Sequence, residues 1–238
     1  MIKSVWRLLA LLALCGLALQ LVFIGRIALM VVLDPQSTSF QRSEAWRLAV
    51  EKQQIAWAQQ WVPRERIGNA LPRAVIASED TNFSEHFGFE WESIEKAWNK
   101  NQKAEQRAAA NPRRPPKVVG GSTITQQLAK NLFLSGERTV PRKAQEFVLT
   151  LALETLLSKP RLLEIYLNNV EWGEGLFGAQ AASRHYFRTD ALRLSTEQAA
   201  RLAVMLPAPK RFEKNPSSAY VMGRAATIAA RMSYVDLP

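Results

Sequence analysis

From Leu8 to Leu33 the chain carries only two residues, Gln20 and Arg26, that an apolar environment would penalise. Helical throughout, this stretch extends about 39 Å, enough to cross a hydrocarbon core of about 30 Å with tilt or with Arg26 reaching for the interface. Lys3 and Arg7 precede it and are expected on the cytoplasmic side. A cleaved signal peptide is the competing reading, but its apolar segment is shorter and is followed by small residues at a cut site. The length therefore favours a retained membrane helix. Cys15, the sole cysteine, follows Leu14 where a lipoprotein signal wants a small residue, so lipidation is not expected and no intrachain disulfide can form.

The remaining chain is long enough for one domain with a sizeable core. Setting aside Lys3, Arg7 and Arg26 leaves 28 basic against 21 acidic residues, a net charge of +7 on the exported part. Such a surface suits anionic headgroups or lipid-linked phosphate. Nucleic acid is disfavoured by the anchor and by the lack of an arginine-rich recognition helix or zinc spacing. With only His86 and His185, and no cysteine outside the anchor, a tetrahedral zinc site is not expected.

Three segments follow from the pattern: an anchor over 1–33, a membrane-proximal helix within 34–64, and a folded domain over 65–238. Trp46, Val50, Trp57 and Trp61 lie at roughly helical spacing and predict a helix over 43–61, stopped by Pro63. Pro72 begins a second helix that ends at Glu79 and Asp80. A third covers about 90–102. Asn101 to Lys117 mixes alanines, basic residues and three prolines, which reads as a mobile loop, either a solvated insertion or a flap beside the site. Thr123 and Gln126 are spaced as a capping box, as are Ser195 and Gln198. Thr139 and Pro141 open a long helix to Ser158, Pro160 opens a shorter one, and Pro216 leads into the last. No strand-rich block and no repeat is visible, so a mainly α fold is expected.

Three clusters carry chemistry-bearing residue types. Residues 79–88 read EDTNFSEHFG, residues 120–131 read GGSTITQQLAKN, and residues 142–146 read RKAQE. The second places hydroxyls, amides and an ammonium where a glycine loop meets a helix, a setting for an anion. Taken alone, Arg142 and Glu146 are one helical turn apart, and that spacing favours an ordinary exposed ion pair.

In order, the patterns EDxxFxxHxG, GGSTxTQQLxKN, RKxxE and KxxxLExYLNxxxxG resemble those of the peptidoglycan glycosyltransferases, with the fourth at 159–173 and LPAPKRF at 206–212 similar to the family's closing segment. The similarity covers about residues 65 to 215. It is to the monofunctional kind: Ser93 to Lys96 spells SxxK, but no SxN or KTG accompanies it. The resemblance implies a lysozyme-like, mainly α domain that transfers glycan from an undecaprenyl diphosphate carrier to the 4-hydroxyl of lipid II, at the periplasmic face of the inner membrane. Recruitment by cell-wall synthesis or division proteins is a further implication, as is sensitivity to moenomycin-like inhibitors.

It also assigns roles. Glu79 would be the general base and Glu146 the second catalytic carboxylate, orienting cations or a metal. Lys130, Arg142 and Lys143 would receive the diphosphate, with a Mg or Mn ion conceivable there. Asp80, Phe83, His86, Ser122, Thr123, Gln126, Gln127 and Asn131 would line the substrate site. The residues themselves, with leucines at neighbouring helical positions around Glu164, Tyr166 and Asn168, suggest core packing and a supporting role for these three and Gly173, and the glycines at 173, 175 and 178 would let backbone approach a neighbour closely. Two carboxylates also describe a lytic glycosidase, whose geometry depends on their separation. A sugar leaving group needs a proton, whereas a diphosphate needs cations, and the basic cluster favours transfer. A noncatalytic, membrane-tethered wall scaffold is the remaining alternative.

Overall fold

The computed structural model describes residues 2–110, 121–137 and 139–238. Helix α1 (Ile2–Leu29) is the one helix among them long and apolar enough to cross a membrane. Its face from Ser4 to Leu19 is exposed, and contact with the rest of the molecule begins at Gln20.

Helix α2 (Ser39–Arg47) starts in a capping box, in which the Thr38 hydroxyl accepts from the Gln41 amide and the Gln41 side chain accepts from the Thr38 amide. It passes into a π-helical turn at Leu48–Lys52 and stops at Gln53, which has φ 52°. The helix expected over 43–61 is thus corrected. Trp57 and Trp61 lie in extended chain, and Ala58–Gln59 forms strand β1. Aromatic spacing misled because these rings pack on separate partners: Trp57 stacks on Phe177 at 4.7 Å, and Arg161 lies over Trp61 at 5.7 Å. The 34–64 segment is also stitched to the domain, since Asn168 exchanges hydrogen bonds with both backbone groups of Val62 at 2.9 Å.

The domain is built from α3 (Ala70–Glu79), α4 (Trp91–Ala110), α5 (Ile124–Phe133), α6 (Val140–Leu156), α7 (Lys159–Asn169), α8 (Ala179–Phe187), α9 (Thr196–Met205), α10 (Pro209–Phe212) and α11 (Ala219–Arg231). Helix α4 corrects the loop expectation over 101–117 as far as Ala110. Alanine is the strongest helix former, and the prolines that suggested a loop begin only at Pro112. Residues 111–117 of that stretch lie outside the described residues. Strand β3 (Leu176–Phe177) lies between β1, parallel to it, and β2 (Glu171–Gly173), antiparallel.

Helices α3 and α9 pack through Ala74, Ala199 and Ala203, all fully buried, because small side chains let the two backbones close up. Leu128 and Leu132 of α5, Leu149 and Leu153 of α6, and Leu162 and Ile165 of α7 fill the other half of the core. Each such side chain contributes roughly 1.5–3 kcal/mol through burial. Gly175 makes the turn between β2 and β3, with φ 68° and an ideal Cβ position 2.0 Å from the Ala56 carbonyl oxygen. Gly175→Ala is therefore expected to destabilise the domain by at least about 2 kcal/mol, read from denaturant unfolding.

Candidate active site

Glu79 is the last residue of α3. Asp80, at φ −162° and ψ 73°, ends the helix, so the Glu79 carboxylate stands at the negative end of the helix dipole in a largely desolvated place. Burial raises its pKa above the ordinary glutamate value, with the Gln127 hydrogen bond pulling the other way. Its Oε2 accepts from Gln127 Nε2 at 2.9 Å, while the Gln127 carbonyl accepts from the Tyr166 hydroxyl at 2.9 Å. Tyr166 is fully buried on α7, so it fixes which end of the Gln127 amide faces Glu79. Among the described residues, the other carboxylate oxygen, Oε1, has only the Ser78 hydroxyl at 3.4 Å. One oxygen is held and the other is available.

Asp80 joins two elements. Its Oδ2 accepts from the Ile124 amide at the start of α5 at 2.9 Å, and its Oδ1 pairs with His86 Nε2 at 2.7 Å. His86 Nδ1 is buried with no partner among the described residues. Phe83 is fully buried, with Lys159 Nζ 4.5 Å from its ring centroid, and Lys159 reaches Glu154 Oε1 at 2.9 Å. Thr125 donates to the same oxygen at 2.5 Å. Sequence reasoning missed the Thr125–Glu154–Lys159 group; the lysine that opens the fourth motif block was the available signal.

The start of α5 is set by its cap. Thr123 accepts from the Gln126 amide and donates to the Gly88 carbonyl at 2.7 Å, and the Gln126 side chain returns to the Thr123 amide. The Thr123 and Gln126 side chains are thus engaged within the fold. Ser122, Gln127, Lys130 and Asn131 remain half-buried, the last two one turn beyond Gln127 on the same face of α5.

Helix α6 carries the cations. Thr139 caps it, and Glu146, 3% exposed, accepts from Arg142 at 2.7 Å and from Lys143 through its other oxygen. Arg142 Nε is buried and unpartnered among the described residues, a donor without an acceptor. The 80–90 loop packs on this helix. Phe89 stacks on Phe147 at 4.2 Å, and Gly88, at φ 77°, leaves no room for a Cβ beside Thr150, one turn beyond Glu146. The loop and α5 therefore bring Glu79 and the Arg142–Lys143–Glu146 group onto adjoining elements.

A family model described as Transglycosylase matches residues 48–233. The chain belongs to the transglycosylase family. Its fold is accordingly mainly α and lysozyme-like. Similar proteins include the biosynthetic peptidoglycan transglycosylase of Burkholderia thailandensis, 50% identical over 222 residues, covering 93% of this chain and 83% of that one. Those of Paraburkholderia phytofirmans (47% identical, 96% and 91% covered) and Bordetella pertussis (50% identical, 86% and 82% covered) carry the same name.

In this transglycosylase the support residues hold the frame. Glu164 accepts from the Arg64 amide at 3.0 Å and pairs with Arg161 at 2.7 Å. Gly173 lies where a Cβ would meet the Glu213 carboxylate at 2.6 Å. A separate cavity of about 220 Å³, lined by residues that include Val62, Arg66, Arg184 and Asp190, lies across α7 from Gln127, since Asn168 and Tyr166 point to opposite sides of that helix. Arg184 and Asp190 pair there at 3.0 Å.

Proposed function

We propose that this peptidoglycan glycosyltransferase extends glycan by inverting transfer from an undecaprenyl diphosphate-linked chain to the sugar 4-hydroxyl of lipid II. The 4-hydroxyl oxygen bonds to the anomeric carbon, its proton passes to Glu79 Oε1, and the anomeric carbon–oxygen bond breaks with its electron pair leaving on the diphosphate. The observation that carries this reading is the Tyr166–Gln127–Glu79 chain, which holds Oε2 and leaves a desolvated Oε1 for a proton. Arg142, Lys143 and Lys130 receive the departing charge, and the orphan Arg142 Nε is a ready donor for a diphosphate oxygen. Ser122, Asn131, His86 and Phe83 shape the surrounding wall. Without SxN or KTG, no transpeptidase step is assigned.

A Mg or Mn ion fits poorly as a resident cofactor. No group of three His, Cys, Asp or Glu side chains that could hold a metal exists among the described residues, and both Glu146 oxygens already meet cations. A divalent ion would be carried mainly by the diphosphate itself, and rates with and without chelator test its need.

In the same reading α1 crosses the inner membrane once and the domain lies on the periplasmic side. Exposed Val140, Phe147, Val148 and Leu151 on α6 support immersion of that helix beside α1. The decisive assay follows glycan formation from labelled lipid II by the detergent-solubilised protein; absence of polymer would overturn the proposal. Tyr166→Phe should lower kcat about 10-fold. It should also move the acidic limb of the rate profile to higher pH, because the unanchored Gln127 no longer favours the ionised carboxylate.

A further inference from the structure

The end of α1 is a docked element. Gln20, Phe23, Ile27 and Met30 recur at three- and four-residue steps and form one stripe facing the domain. Phe23 meets Phe133 edge-on at 5.4 Å, Ile27 and Met30 are buried, and Arg161 Nε donates to the Met30 carbonyl at 2.9 Å. Among the described residues Gln20 is the first of α1 to touch the domain; Arg26, the other polar residue of the apolar run, lies over the Phe133 ring at 5.1 Å, near the end of the span. The Gln20 amide exchanges two hydrogen bonds with Gln145 of α6, at 2.8 and 2.9 Å.

Depth makes this pair matter. If the hydrocarbon begins after Arg7, about 20 residues bring α1 to its outer boundary near Ile27, and Gln20 lies about 10 Å inside. Anchoring alone would be served by leucine. An amide in hydrocarbon requires a partner, and two amides that satisfy each other specify one register and one rotation between their helices. Gln145 is the residue before Glu146, so the rotation of α6 about its axis also sets where Arg142, Lys143 and Glu146 point.

We propose that Gln20 is a positioning residue for glycan transfer: paired with Gln145, it fixes the setting of α6 and thereby of the cation group that receives the leaving diphosphate. This rests on the membrane-crossing reading of α1. Nitroxide labels on native Cys15 and on Thr155→Cys, both exposed, report the α1–α6 distance in phosphatidylglycerol-containing liposomes without any need for activity. In Gln20→Leu and Gln145→Leu the distance distribution should broaden at least about 2-fold, and kcat per folded enzyme should fall about 10-fold with KM little changed. The double variant should be no worse than either single one. An unchanged distribution in Gln20→Leu would overturn the proposal. So would a broadened distribution with unchanged kcat, or losses that simply multiply in the double variant. Glu79→Gln run in parallel separates the two readings, since full turnover there would reject the base while leaving the α1–α6 result to stand by itself.

Discussion

Glu79→Gln is expected to lower polymerisation of lipid II by at least about 100-fold, because an amide cannot take the proton from the attacking hydroxyl. The same substitution should stabilise the fold. Burial holds the Glu79 pKa above its ordinary value, so ionising it costs more in the folded chain than in the unfolded one. Native stability therefore declines as pH rises from about 4.3, the unfolded value, through the higher folded value. Glutamine removes that penalty. The melting temperature of the variant should exceed the parent's at about pH 8 and approach it near pH 4, where both side chains are neutral. Parent activity should rise with pH over the range in which Glu79 loses its proton, above the usual carboxylate range. A variant with normal turnover would remove Glu79 from the base role.

Arg142→Gln is the second large effect. A turnover loss of about 100-fold or more is expected, since a preorganised cation at a developing negative charge is among the strongest single contributions to catalysis. Stability should fall too, by about 3 kcal/mol, because Glu146 is left buried with a single cation partner, the half-exposed Lys143. Denaturant midpoints give the second number and single-turnover transfer the first. Lys143→Gln should cost less stability, its side chain being 51% exposed against 15% for Arg142. Equal stability losses for the two variants would contradict the geometry.

Local signals in the chain were read well where a short-range physical rule applies. Thr123 with Gln126, Ser195 with Gln198, and Thr139 before Pro141 all cap helices in the structure, because a cap needs only a side chain and an amide three residues away. The helix ending at Glu79 was legible for the same kind of reason. Trp57 and Trp61 were not, since periodic aromatics suit either a helix face or an extended strand whose rings find different neighbours. Nor was the helical run to Ala110, where downstream prolines outweighed alanine propensity. The Gln127–Tyr166 bond spans 39 residues and the Gln20–Gln145 pair 125, and no local rule connects such positions. Motif order pointed to the candidate catalytic residues; tertiary structure was needed to show that Asp80, Thr123 and Gln126 are bonded within the frame.

Strand β1 enters the sheet from the segment between α1 and α3. Proteolytic shedding just before Ile67 would strip β3 of a neighbour, uncover Phe177, and strand the buried amide of Asn168 without Val62. A fragment beginning there would carry exposed apolar surface and an unsatisfied buried amide, so it should be prone to aggregate, and the 34–64 segment is part of the folded unit as much as a link to α1.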